Sequence, residues 1–257
     1  MTERFYITDD GIRLSAVLDR PGEGRRPLVI IIHGFTGNKE ERHIVAVSRM
    51  LNALGFATLR ADMYGHGSSD GQFRNHTLYK WLTNALSLVD YARGREDVGE
   101  IFLCGHSQGG LTAMLAAAME RDRIAGLIPL SPAAMIPEYA RSGELLGLCF
   151  DPEHIPETLS AFDGQTLGGN YIRVAQTIDV EAAIDRYDGP VLLVHGDEDE
   201  SVPVEVSIEA ANRYRHCQLA LIPGDDHCYD HHLDLVLGAV RTWMAEHSNP
   251  AFEQTEQ

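Results

Sequence analysis

The sequence predicts an α/β fold, a mostly parallel sheet with helices on both faces and a cap inserted near its middle. Three observations predict it. Leu28–His33 is a continuous apolar run rich in β-branched residues, the pattern of a strand buried on both faces. Short apolar runs then alternate with helix-length stretches to the end of the chain, which implies βαβ units and parallel pairing. One connection, the 60 residues between Leu130 and Val191, far exceeds the dozen or so that a crossover needs.

Each element follows in order. Segments 4–8 and 12–18 alternate around Asp9-Asp10-Gly11 and form an opening hairpin. A helix over 40–54 ends at Gly55, a residue suited to a C-cap. Phe56–Ala61 is a strand, 77–93 a helix, Ile101–Cys104 a strand and 108–119 an alanine-rich helix. Ile124–Leu130 and Val191–His195 are strands, followed by a helix near 204–214, the strand Cys217–Ile222 and a helix over 231–247. The long connection carries Tyr139, Phe150, Phe162 and Tyr171 with Pro132, Pro137, Pro152 and Pro156. A disordered linker has few aromatics. The expected organisation is a core of 1–130 and 188–257 with 131–187 as a cap, and 249–257 as a frayed tail.

Composition narrows the function. The 257 residues carry 21 basic and 38 acidic side chains, a formal charge of −17. A surface this acidic repels phosphate backbones, so no nucleic-acid partner is expected. Lys39 and Lys80 are the only lysines, and neither lies in a G-x-x-x-x-G-K-[ST] loop, which excludes phosphate-loop chemistry. No apolar run approaches the roughly 20 residues of a membrane span, and the start lacks a signal-peptide pattern. Cys104, Cys149, Cys217 and Cys228 have neither C-x-x-C pairing nor zinc spacing. The expected setting is the cytoplasm, with no membrane partner.

The chemistry begins at Gly105-His106-Ser107-Gln108-Gly109, with Gly110 following. In G-x-S-x-G the serine occupies a sharp strand-to-helix turn, where side chains two positions either side would collide. The flanking strand and helix supply that context for Ser107. A nucleophilic serine needs a base and an orienting acid, here in the order serine, acid, histidine. The strand Val191–His195 runs into Gly196–Pro203, with Asp197 and Asp199 as competing acids and Glu198 and Glu200 as solvated neighbours. The strand Cys217–Ile222 runs into Pro223-Gly224-Asp225-Asp226-His227, which makes His227 the candidate base. Both loops leave the carboxyl edge of the sheet, where open α/β sheets place their sites.

Asp225, Asp226, His227, Asp230, His231 and His232 also form a set of metal-ligand types. They divide between a strand exit and a helix start facing different directions, and acids at a helix start suit the macrodipole. No metal and no other cofactor is expected. An oxyanion hole needs two backbone donors. The residue after the nucleophile, Gln108, supplies one, and the loop His33-Gly34-Phe35-Thr36-Gly37 supplies the other through Phe35. His33 orients that loop or meets substrate. The glycine-rich run Asp62–Ser69 shapes a neighbouring wall.

With these residues in hand, the chain resembles the α/β-hydrolase superfamily along nearly its whole length. Five motifs occur in order: H-G-F-x-G at 33–37, D-x-x-G-x-G-x-S at 62–69, G-x-S-x-G-G at 105–110, G-x-x-D-x-x-V-P at 196–203 and P-G-x-x-H at 223–227. In the fourth, the superfamily's acid is the third residue past the glycine, so the resemblance selects Asp199 over Asp197. Within the superfamily the chain is most similar to the bacterial intracellular cinnamoyl (feruloyl) esterases. That likeness rests on Gly105–Gly110, Asp151–Glu157 and Thr166–Gln176.

The resemblance implies a serine esterase that releases hydroxycinnamic acids such as ferulate, with a cap that holds the phenolic ring. Its small-molecule partner would be an ester with an aromatic acyl group. Polar contacts to the ring are expected just after the strand entering the cap, where Glu138 and Tyr139 are the candidates. A homodimer is one open assembly. Three rivals stand beside this reading: a general carboxylesterase or acylglycerol lipase, a carbon–carbon bond hydrolase, and a non-catalytic ligand-binding member. The complete set of Ser107, Asp199 and His227 argues against the last.

Overall fold

The computed structural model describes residues 1–160 and 164–248. Phe162 and the expected frayed tail at 249–257 lie outside the described residues. The chain opens with a hairpin, β1 (Thr2–Asp9) and β2 (Ile12–Asp19). Asp9 pairs with Ile12 across a tight turn in which Asp10 and Gly11 both take positive φ, the geometry that matches strand twist. Then come β3 (Arg26–Ile32), α1 (Arg42–Ala53), β4 (Ala57–Ala61), α2 (Leu78–Arg93), β5 (Val98–His106), α3 (Gln108–Met119) and β6 (Ile124–Leu130).

The 60-residue connection folds as α4 (Ile136–Ser142), a hairpin β7 (Glu144–Leu145) with β8 (Leu148–Cys149), a hairpin β9 (Thr158–Ser160) with β10 (Thr166–Gly168), α5 (Gly169–Ala175) and α6 (Val180–Arg186). The core resumes with β11 (Val191–Gly196), α7 (Val204–Arg213), β12 (Cys217–Ile222) and α8 (Leu233–His247). β5 runs longer at both ends than its apolar run 101–104 suggests, because Val98 pairs with Arg26 and His106 with Leu130.

Eight strands form one sheet in the order β1-β2-β4-β3-β5-β6-β11-β12, parallel from β4 to β12. Alternation along β3 divides the core. Leu28, Ile30 and Ile32 join α2, α3, α6 and α7 on one face, through residues such as Trp81, Met114, Ile184 and Ala210. Val29 and Ile31 join α1 and α8 on the other, through Val47, Leu51, Val240 and Trp243. α3 is buried from Gln108 through Ala118, as a helix that is apolar nearly all round must be.

The chain leaves β3 in one direction for β4 and returns past it to β5. Strand order therefore reverses at β3, and a crevice opens at the carboxyl ends of β3 and β5. Above it the inserted segment seats on a third apolar cluster, in which Ile136, Leu145, Leu167, Tyr171 and Ile172 meet Phe35, Leu111 and Leu115. α6 joins that cluster to the sheet: its Ala183 belongs to the cluster. Its Ile184, with Tyr187, packs into the main core, the place of a crossover helix. No helix among the described residues is long and apolar enough to cross a membrane.

Candidate active site

Ser107 separates β5 from α3 at φ +56° and ψ −120°. A non-glycine residue held there stores about 1–3 kcal/mol of strain. Its neighbours show why the turn is closed. A Cβ at Gly105 would lie 2.1 Å from the Gly109 carbonyl oxygen, and one at Gly109 would lie 2.3 Å from that of His33. The Ser107 N–H donates to the Leu130 carbonyl at 2.9 Å, and the Ser107 carbonyl accepts from Leu111 at 3.1 Å and Ala133 at 3.0 Å. The strained turn is thus fixed by β6, α3 and the first residues of the inserted segment.

The loop after β12 delivers His227. Gly224 takes φ +71° and its N–H donates to Asp197 Oδ1 at 2.6 Å. Asp225 Oδ1 accepts from the N–H groups of Asp226 and His231, both at 3.1 Å, and Asp226 Oδ1 from those of Cys228 and Asp230, both at 3.0 Å. These acids shape the loop. Tyr229, fully buried at φ +59°, pins its far side by donating to the Val194 carbonyl at 3.2 Å. The His227 carbonyl accepts from His106 Nε2 at 2.7 Å, and the two rings lie 4.7 Å apart.

Asp199 and His227 meet. His227 Nδ1 lies 2.7 Å from Asp199 Oδ2, and the Asp199 side chain is completely buried. Its Oδ1 accepts from the N–H groups of Ser201 and Val202 at 2.8 Å. Burial favours the neutral acid, but the hydrogen bonds from His195 and His227, the His227 charge and the Val202 N–H outweigh it. They hold Asp199 well below the usual carboxylate range. An ionised Asp199 fixes the Nδ1–H tautomer of His227 and leaves the Nε2 lone pair for a proton. Among the described residues neither Ser107 Oγ nor His227 Nε2 has a hydrogen-bond partner. Such bonds commonly tighten only when substrate binds.

The loop after β3 faces Ser107. A Cβ at Gly34 would sit 3.3 Å from Ser107 Cβ and 3.2 Å from His106 Nδ1, so this backbone passes close to the nucleophile. The Asp62–Ser69 loop holds it there. Lys39 donates to Asp62 through its N–H at 2.8 Å and its Nζ at 2.5 Å. His33 Nε2 accepts from the Met63 N–H at 3.0 Å while Nδ1 bonds the Gly34 carbonyl at 2.8 Å, and His66 Nε2 bonds the Phe35 carbonyl. Burial, with the His66 charge adding to it, pushes His33 down to about 3, so it acts as a neutral loop brace. The N–H groups of Phe35 and Gln108 have no partner among the described residues. Gln108 also opens α3, where free N–H groups and the helix dipole favour negative charge.

Sequence reasoning missed two residues. Tyr171 of α5, fully buried, donates from its hydroxyl to Gln108 Oε1 at 2.6 Å, so the inserted segment touches the residue beside the nucleophile. Its place among the aromatics of the long connection and in the Thr166–Gln176 stretch pointed to the cap, and neither pointed to Gln108. His195, read as a strand end, lies 3.1 Å from Asp199 Oδ2. Glu138 lines a groove of about 750 Å³ with Arg141, Gln176, Ile178 and Arg213, and the lining includes none of Ser107, Asp199 and His227. Tyr139 is exposed on α4.

Known proteins share this arrangement of elements. The family described as serine aminopeptidase, S33, matches residues 23–157. A structure of Est1E from Butyrivibrio proteoclasticus with ferulic acid bound is 63% identical, covers 95% of this chain and 98% of its own, and superposes with a TM-score of 0.94. A second Est1E structure is 60% identical over 95% of this chain and 98% of its own, with a TM-score of 0.90. Human mitochondrial palmitoyl-protein thioesterase ABHD10 is 28% identical over 200 residues, 74% of this chain, and the chain spans 63% of its length.

Proposed function

This chain belongs to the serine aminopeptidase, S33, family of α/β-hydrolases, and on that premise we propose that it is a serine carboxylic ester hydrolase releasing hydroxycinnamic acids. The 2.7 Å contact between His227 Nδ1 and Asp199 Oδ2, beside an elbow serine, supports the reaction type. The substrate class is carried by one observation: ferulic acid occupies Est1E, which is 63% identical over nearly the whole chain.

The mechanism follows from the residues. Ser107 Oγ attacks the ester carbonyl while His227 Nε2 takes its proton, and Asp199 stabilises the imidazolium without itself accepting the proton. The N–H groups of Phe35 and Gln108 receive the oxyanion at the amino end of α3. His227 then protonates the leaving alcohol, and water repeats the sequence on the acyl-enzyme. No cofactor enters.

In this proposal residues 131–187 form the cap over the acyl group. Tyr171 steadies Gln108 from that side, and Glu138 and Tyr139 are the candidates for polar contact with the ring. The acyl-bearing partner is a small aromatic ester. Four free cysteines suit a reducing cytoplasm.

The test is a pair of kcat/KM values, for methyl ferulate and for a medium-chain alkanoate methyl ester. The proposal predicts a clear preference for ferulate. Equal values, or the reverse preference, leave a general esterase and remove the hydroxycinnamoyl assignment.

A further inference from the structure

His195 is the penultimate residue of β11 and its ring is fully buried. Its Nε2 lies 3.1 Å from Asp199 Oδ2 and 3.0 Å from the Val202 carbonyl oxygen. Both neighbours are acceptors, so this nitrogen carries the hydrogen. Its Nδ1 lies 2.7 Å from Ser207 Oγ on α7, which is also fully buried. A hydroxyl turns to suit its partner, so Ser207 donates and Nδ1 accepts. The surroundings therefore select one tautomer of His195, Nε2–H, assigned from the hydrogen-bond network.

We propose that His195 is a positioning residue for the reaction, a second histidine that holds Asp199 in the orientation His227 requires. The inference rests on the triad reading above. Asp199 offers four lone-pair directions and meets four donors: the N–H groups of Ser201 and Val202 on Oδ1, and His195 and His227 on Oδ2. Three of the four belong to fixed structure, two to the loop backbone and one to a ring locked between β11 and α7. The fourth, His227, must change its protonation during each turnover. With His195 in place, Oδ2 keeps a fixed donor while His227 gains and loses its proton. Without it, His227 is the only side-chain donor to Asp199, and the buried Val202 carbonyl also loses its partner.

A residue that merely filled the core would affect stability and nothing else. The test therefore compares His195→Leu, which keeps bulk and removes both bonds, with His195→Gln, whose amide can place an N–H near the Nε2 position. Turnover of p-nitrophenyl acetate is measured on folded protein, beside Ser107→Ala and Asp199→Asn. His195→Leu is expected to lower kcat about ten- to a hundredfold, by analogy with the loss when the outer hydrogen-bond partner of a metal-ligating side chain is removed. KM should change little, and His195→Gln should recover most of kcat.

If His195→Leu does not fold, Ser207→Ala substitutes for it. That variant removes only the donor to Nδ1 and should lower kcat severalfold, with the low-field Nδ1–H proton resonance of His227 displaced. Unchanged kcat in folded His195→Leu, or unchanged kcat and resonance in Ser207→Ala, overturns the proposal. Full activity in Ser107→Ala or Asp199→Asn would instead overturn the triad reading, so the two failures are distinguishable.

Discussion

The carboxyl edge of the sheet and the segment inserted above it are built by different means. On the edge, the acids of the site loops are tied by directed bonds: Asp62 holds Lys39 and Ser68, Asp225 Oδ1 and Asp226 Oδ1 cap their own loop, and four donors surround Asp199. The inserted segment uses helices of 7 residues and hairpin strands of 2 or 3. It rests on apolar contacts and on internal bonds such as Gln176 Nε2 to the carbonyls of Ala140 and Pro152. Tyr171 reaches across to Gln108. A fixed constellation suits chemistry that fails on small displacements. A lightly tied apolar cover suits the recognition of an acyl group.

The largest test of that division removes the nucleophile. Ser107→Ala should lower ester turnover about 10⁴-fold or more while the melting temperature stays near that of wild type. Retention of a tenth of the activity would place the chemistry elsewhere. Asp199→Asn comes next, with an expected loss of about 10³- to 10⁴-fold in kcat, since an amide permits the wrong imidazole tautomer. Asp197→Asn should change kcat by less than about threefold, because an amide oxygen can still accept from Gly224 while the triad bonds stay intact. The reverse ranking would transfer the orienting role to Asp197.

Replacing residues 137–178 by a short loop, which keeps the Ala133 bond to the Ser107 carbonyl, should act on selectivity instead. The ratio of kcat/KM for methyl ferulate to that for an alkanoate ester should collapse, since discrimination is a difference in transition-state binding. Some hydrolysis of p-nitrophenyl acetate should persist. An unchanged ratio would move substrate recognition onto the sheet edge.

The smallest effect concerns pH and stability. Burial pushes His33 and His76 down to about 3 and His43 to about 4, and lowers His66 and His106 as well. All five surround the site loops. Their folded values lie below the unfolded value of about 6.5, so the unfolded chain binds more protons as pH falls. The stabilisation is complete above about pH 6.5. It declines as pH falls from there toward the lowered folded values, because the unfolded histidines take up protons that the buried ones do not. Asp199, depressed, adds a loss at lower pH, below the ordinary carboxylate value of about 3.9. Calorimetry across this range should show net proton uptake on unfolding of about three or more near pH 5. A flat melting temperature from pH 7 to 5 would contradict the buried neutral histidines.

The two regions also differed in how far the sequence revealed them. β3, β6 and β11 were legible because buried strands leave apolar runs, whereas in β4 Thr58 and Arg60 interrupt the run. The elbow was legible because a sterically closed turn demands glycines at 105 and 109. Residue spacing alone left Asp197 and Asp199 open, and the superfamily register pointed to the one that meets His227. In the insertion, strands as short as β7 and β8 show no periodicity. Tyr171 touches Gln108 across 63 residues of sequence, a contact that only tertiary packing creates. His195 was hidden differently: a histidine closing an apolar strand looks like the end of the strand, and its partners Asp199 and Ser207 meet it only once α7 is docked.

The most direct measurement is mass spectrometry of the protein quenched during turnover of methyl ferulate and then digested. The account predicts a feruloyl group on the peptide containing Ser107, absent when Ser107→Ala is treated in the same way. A feruloyl adduct on another residue, or an adduct at Ser107 from alkanoyl esters with none from ferulate, would contradict it.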